Sequence, residues 1–345
     1  MNAILSPQAV AGPPVQRRAG NQPELPAARG PLSRRLLEAL QGPPAPLDIA
    51  FAEPADPLSD EDLQLSLYLC YELHYRGWRG VDENWEWDPG LLALRHRLEG
   101  SFETALIAAY LEDDSSASVV DTVKAIAAAE EGPSLSKYLR DHATLDQFHE
   151  FVIHRSAYQL KEADPHCWVI PRLEGKPKAA LIEIETDEYG GGRFDRMHAE
   201  LFRKTMRALG LDDRYGAYLD RIPAVTLATV NLISLFGLHR RLRTAAVGHL
   251  AVFEMTSSRP NRRYAEGLRR LGGSDEATDF YDEHVEADSV HEVIAAHDLA
   301  GGLAKQEPEL APLIRFGARA CAGLDARFCT HVLDCWSRGE SSLLG

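Results

Sequence analysis

The chain has 345 residues, with 52 acidic against 37 basic side chains and a formal net charge of −15. That balance excludes nucleic acid and anionic membrane surfaces as natural partners. Apolar residues make up 45% of the chain, enough for one large domain or two small ones, and no run of them is long enough to span a bilayer.

The five cysteines, Cys70, Cys167, Cys321, Cys329 and Cys335, are odd in number and contain no Cys-x-x-Cys, so reduced thiols are expected. The first residues lack a basic stretch followed by an apolar run. No signal peptide is therefore expected, and the location expected is cytoplasmic.

Residues 1–57 hold eleven of the twenty prolines and little apolar periodicity. They predict a disordered or loosely docked tail, with one short helix around Ser33–Gln41. Helical patterning begins at Leu58. Ser59-Asp-Glu-Asp caps a helix running to about His74, and Asp88-Pro89 opens another through Leu91, Leu94, Leu98, Phe102 and Leu106. Further helices are predicted near Val119–Glu131 and Pro133–His142. Thr144-Leu-Asp-Gln147 is a capping box. Behind it Phe148, Val152, Arg155, Gln159 and Glu162 recur at helical spacing, and Pro165 ends the segment.

A short extended link, Trp168 to Leu173, leads to a helix interrupted by Gly190, Gly191 and Gly192 and ending at Gly210. Pro223 opens an apolar core helix. The helix that carries Glu254 is expected to end before Pro260, followed by a short Arg-rich helix and Gly272-Gly273. A long helix then carries His284, Asp288 and His291, Gly301-Gly302 closes it, and a last helix runs to about Trp336. No run alternates with period two, and neither a phosphate-binding loop nor a nucleophile elbow is present. The fold class expected is all-α. A domain over 58–345 would comprise a helical extension, 58–142, and a core of about seven helices, 143–337.

His284, Asp288 and His291 stand at i, i+4 and i+7, within about 60° of one another on one helix face. Two imidazoles and a carboxylate in one stripe make half of a transition-metal site. Taken alone, the stripe fits a charged surface face equally well. Glu188 and His198 are ten apart, which on an unbroken helix leaves them about 80° apart, but the glycine tract between them can break the helix. Glu162 alone reads as an ordinary solvated helix end. Glu185, one turn before Glu188, is a rival to it. Glu254 lies between Phe253 and Met255 with no Lys or Arg one turn away, so it needs a tertiary cation or a metal. Carboxylates with imidazoles suit iron or manganese better than a structural zinc.

Taken together, a Glu, a second Glu twenty-six residues on, a His ten beyond, and then His-x-x-x-Asp-x-x-His resemble the haem-oxygenase-like diiron oxidases and oxygenases, of the actinobacterial iron-containing redox enzyme type. The resemblance covers roughly Leu145 to Trp336. It implies a haem-oxygenase-like bundle with Glu162, Glu188, His198, His284, Asp288 and His291 as ligands of two iron ions. Glu162, His198 and His291 would hold one iron and Glu188, His284 and Asp288 the other, with Glu188 able to bridge. Glu254 matches a further carboxylate that closes onto an iron when oxygen binds.

The same resemblance implies O2 as co-substrate, a peroxo-diferric intermediate, and a small amine or amino-acid-like substrate, with N-oxygenation as the leading reaction. Oxidative C–C cleavage of an amino or fatty acid at the same site is the alternative, as is a non-catalytic iron- or haem-binding protein. Arg155 and Tyr158, one to two turns before Glu162, are the candidate substrate-binding residues. The arginines at 240, 241, 243, 259, 262 and 263 are mostly expected to complement helix ends. A role in secondary metabolism, an external electron donor and a homodimer are compatible with the resemblance.

Overall fold

The computed structural model describes residues 22–112, 117–129 and 134–345, and leaves the side chains of residues 286–290 undescribed. Among the described residues every regular element is helical. In chain order the helices are α1 (Pro31–Leu40), α2 (Glu61–Glu72), α3 (Pro89–Tyr110), α4 (Val119–Ala128), α5 (Leu135–Asp141), α6 (Leu145–Gln159) and α7 (Asp164–Cys167). They continue with α8 (Gly175–Glu188), α9 (His198–Ala208), α10 (Ala224–Leu238), α11 (Arg243–Arg270), α12 (Asp275–Val293), α13 (Gly301–Gln306) and α14 (Ala311–Ser337). No described helix is long and apolar enough to cross a membrane, and all five cysteines are free.

Local chemistry sets the helix starts. Asp60 caps α2, one residue later than the Ser59 expected, by accepting from the Leu63 amide at 2.8 Å. Asp88 accepts from the Leu91 amide ahead of Pro89. In the α6 capping box the Gln147 amide donates to Thr144 Oγ1 and the Thr144 amide donates to Gln147 Oε1.

The centre of the bundle is α11, which packs most extensively on α14 and α12. Gly248 and Gly317 make the closest approach. A Cβ at Gly248 would stand 1.8 Å from the Ile314 carbonyl oxygen, and one at Gly317 would stand 1.9 Å from that of Ala245. Only glycine lets the α11 and α14 backbones meet there. Helix α10 is buried almost throughout, and its Asn231 donates to both the backbone and the side-chain oxygen of Gln64 on α2, each at 2.8 Å.

Four expectations change. Residues 22–57 are not a tail: α1 buries Leu32, Leu36, Leu37 and Leu40. Asp62 accepts from the amides of Leu32 and Ser33, and Arg29 pairs with Glu61 at 2.7 Å. Prolines prevent longer helices in this stretch, but they leave one ten-residue apolar stripe free to dock. The part of the expected tail before residue 22 lies outside the described residues. Helix α11 does not stop at Pro260 but runs through it, because packing along its length outweighs one missing amide. The expected extended link from Trp168 to Leu173 is instead a turn leaving α7 and a single 3-10 turn at Ile170–Arg172. Beyond Val293 the chain widens into a π-helical segment, Ile294–Ala300, and continues as α13 rather than closing at the glycine pair.

Candidate metal centre

Five segments bring side chains to one buried point. Glu188 is the last residue of α8. Gly190, Gly191 and Gly192 follow with φ of 63°, 61° and 80°, in the left-handed region, and a Cβ at Gly190 would lie 2.6 Å from the Arg196 backbone. The tract therefore turns the chain sharply and starts α9 at His198. The offset expected on an unbroken helix disappears, and His198 Nδ1 comes 2.9 Å from Glu188 Oε2. Glu162 sits three residues past the end of α6, in the turn before α7, rather than on the helix. Glu254 comes from α11, and His284 and His291 from α12.

The candidate ligand atoms form two overlapping groups. One atom each from Glu162, Glu188, His198 and His284 lie within 4.8 Å of one another, as do one each from Glu188, Glu254 and His291, and all six residues are buried. Glu188 belongs to both groups. His284 Nδ1 lies 2.7 Å from the Phe280 carbonyl oxygen, an acceptor, so Nδ1 carries a proton and Nε2 is the ring atom that faces Glu162 Oε1, 3.7 Å away. His291 is held from both sides, with Nε2 2.9 Å from Asp187 Oδ2 and Nδ1 3.3 Å from Glu254 Oε2.

Three carboxylates and three imidazoles share this space, and among the described residues no Lys or Arg pairs with Glu162, Glu188 or Glu254. Burial raises the Glu162 carboxyl, and Glu188 adds to the rise against His284 and His198. Burial likewise raises Glu254, with His291 pulling back. Glu188 goes the other way: burial would raise it, but His198, His284 and His291 outweigh burial and hold it down at about 2. Burial alone would lower His291, yet Glu254 and Asp187 lift it to about 9.

Buried acceptors remain unsatisfied even so. Glu162 Oε2 and Glu188 Oε2 have no hydrogen-bond donor, and His198 Nδ1, though near Glu188, makes no hydrogen bond of acceptable geometry. Buried oxygens and ring nitrogens that converge without donors fit divalent cations. The donor set, oxygen and imidazole without thiolate, fits iron.

The grouping differs from the ligand partition implied by the resemblance. His284, not His291, joins Glu162 and His198. The physical reason is packing: the His284 ring lies 4.3 Å from that of His198, whereas His291, about 10 Å further along α12, meets Glu254 of α11. Asp288 lies on α12 between them, with its side chain outside the described residues. Glu254 has a histidine partner rather than a tertiary arginine. Glu185 stays out of both groups, with Oε2 3.6 Å from Cys167 Sγ and its carboxyl raised to about 9 by burial and Glu188.

Arg155 and Tyr158 both line a cavity of about 1030 Å³ that also reaches Glu162, His284 and Phe253. Arg155 Nη2 donates to Asp325 at 2.8 Å, with its guanidinium over the Phe328 ring. The Tyr158 ring lies 5.1 Å from that of Phe253. Of the helix-end arginines, Arg241 and Arg243 pair with Glu103 and Glu307, while Arg259, Arg262 and Arg263 border the cavity. Asp187 was not evident in the sequence, because it lies beside Glu188 on the exposed side of α8 and no spacing singles it out.

Oxygen and imidazole donors converge at the centre of the helical bundle, beside a cavity of about 1030 Å³, and could hold metal ions there. The chain belongs to the iron-containing redox enzyme family, whose family model matches residues 149–326. That match takes in all six described candidate ligands together with Asp288. Over 132 residues the chain is also 27% identical to a nitrosourea synthase from Streptomyces achromogenes subsp. streptozoticus. The shared stretch covers 38% of this chain and 28% of that relative's length.

Proposed function

We propose that this protein is an O2-dependent non-haem diiron oxidase or oxygenase acting on a small amine or amino-acid-like molecule, with oxygen transfer to nitrogen as its reaction. The metal-binding part would span 143–337 and the helical extension 58–142. The observation that carries the reading is the pair of overlapping ligand groups that share Glu188. Glu162, His198 and His284 would hold one iron, Glu254 and His291 the other, and Glu188 would bridge. Iron bound there would supply the electrons that reduce O2. The relative's name points the same way, since a nitrosourea carries oxygen on nitrogen.

The chain's own residues do the rest. The Phe280 carbonyl fixes the His284 tautomer, and Asp187 orients His291. The rings of Tyr158 and Phe253 form part of the cavity wall beside the cluster. Arg155 keeps guanidinium N–H groups beyond the one given to Asp325, enough to fork onto a substrate carboxylate. A substrate anchored there would reach from Arg155 toward Glu162 and His284 within one cavity.

The test is anaerobic reconstitution with ferrous ion, followed by O2 uptake with and without a panel of amines and amino acids. Acceleration of O2 uptake by an amine, with an N-oxygenated product by mass spectrometry, is expected. Release of CO2 or an alkene from an acid would favour C–C cleavage instead, and uptake that no substrate alters would contradict the enzymatic reading.

A further inference from the structure

Behind Glu162 lies a second buried charge cluster, in which Glu72, Arg76 and two tyrosines from outside the family-matched residues 149–326 meet Lys161 and Tyr215. Glu72, the last residue of α2, is fully buried and accepts from Lys161 Nζ at 3.0 Å and from Tyr215 Oη at 2.6 Å. Lys161 is buried as deeply, its ammonium 4.2 Å from the Tyr75 ring centre and 4.9 Å from that of Tyr68. Four residues past Glu72, Arg76 Nη2 donates to the Leu160 carbonyl at 3.0 Å, with its guanidinium stacked 4.0 Å over Tyr215. Two consecutive residues, Leu160 and Lys161, are thus gripped by α2 and the turn that follows it. Glu162 is the next residue, beyond the last turn of α6, so the regular helix does not fix its backbone.

We propose that Glu72, through Lys161 and with Arg76, is the positioning residue that sets Glu162 in the metal cluster. The inference rests on the reading of Glu162 as a ligand. A charged pair buried this deeply is seldom the most stabilising filling for its space, because apolar residues of similar volume often serve stability equally well. What an ion pair adds over apolar packing is direction. Lys161 can satisfy its ammonium only by pointing at Glu72, and that fixes the chain from which Glu162 projects to the opposite side. The helical extension would then complete a centre whose ligands all lie within the family-matched core.

The test uses the full chain and Co2+, a redox-silent stand-in for ferrous ion with visible ligand-field bands. Glu72→Leu/Lys161→Met/Tyr215→Phe removes the charges together while keeping volume. The expected result is an unchanged thermal midpoint of the metal-free protein, about tenfold to a hundredfold weaker binding of one Co2+, and altered bands for that ion. The ion bound through Glu254 and His291 should keep its affinity within about twofold. Wild-type affinity and bands for both ions would overturn the proposal. Should the triple variant fail to fold, Arg76→Met loosens the same grip from a half-buried position. It should weaken the same ion at least about threefold, and no change there overturns the proposal equally. Glu162→Ala separates the two readings. If it binds both ions like wild type, the assignment of Glu162 as a ligand fails. If it loses one ion while the triple variant does not, only the positioning role fails.

Discussion

Lys161 and Glu162 are neighbours in sequence, yet they belong to two buried polar clusters of opposite character. On the Lys161 side each charge has its counterpart: ammonium on carboxylate, phenol on carboxylate, and tyrosine rings around the cation. On the Glu162 side carboxylates and imidazoles crowd together, and oxygens of Glu162 and Glu188 are left with no donor. A buried unsatisfied acceptor costs roughly 1–3 kcal/mol, and more when charged. A fold tolerates several in one place when something outside the chain completes them. The first cluster is closed within the protein, and the second leaves buried acceptors open.

The contrast is broken most forcefully from the open side. His284→Ala and His291→Ala should each lose at least one iron and essentially all O2-dependent activity while helicity by circular dichroism stays intact. Full iron content and turnover in both variants would remove them from the centre.

The closed cluster should respond in the opposite way. Lys161→Met leaves Glu72 a buried carboxylate without its cation and should cost about 3–5 kcal/mol in urea unfolding. In the open cluster the isosteric change Glu254→Gln removes a carboxylate that burial disfavours together with the partner that raises His291, so it should cost the metal-free protein clearly less than Lys161→Met does. The same variant should bind the iron at the His291 end more weakly and oxidise it more slowly on mixing with O2. Equal destabilisation by the two substitutions would erase the distinction between the clusters.

Much of this was legible in the sequence, and the failures share a cause. The stripe on α12, the capping box of α6 and the break at Gly190–Gly192 are local signals read from spacing, and the structure has each of them in place. Glu72, Asp187 and the docking of α1 depend on contacts between residues far apart in sequence, so no periodicity announces them. Pro260 misled for the same reason, since a local helix-breaker was outweighed by tertiary packing on α12 and α14. The ligand partition put His291 with Glu162 and His198, and only the tertiary packing of α12 shows that His284 stands beside His198 while His291 meets Glu254.

The smallest expected effect is on pH dependence. Glu254 and Asp187 raise His291 to about 9 in the folded protein, against about 6.5 when unfolded. Its contribution to stability is complete below pH ~6.5 and is lost as pH rises through about 9. The thermal midpoint of the metal-free protein should therefore fall modestly over that window, and His291→Gln should flatten the slope. Metal must displace the same proton, so affinity at the His291 end should rise with pH up to about 9. A midpoint that climbs with pH over the window in wild type, or a slope that survives the substitution, would show that His291 is not the group responsible.

The central claim is that the open cluster holds two irons joined through Glu188. Mössbauer spectroscopy of the full chain after anaerobic loading with 57Fe2+ tests it most directly, with iron counted per chain. Two high-spin ferrous ions per chain are expected in the wild type, with Glu188→Ala losing one or both. A single iron per chain, a haem spectrum, or a full complement of iron in Glu188→Ala would contradict it.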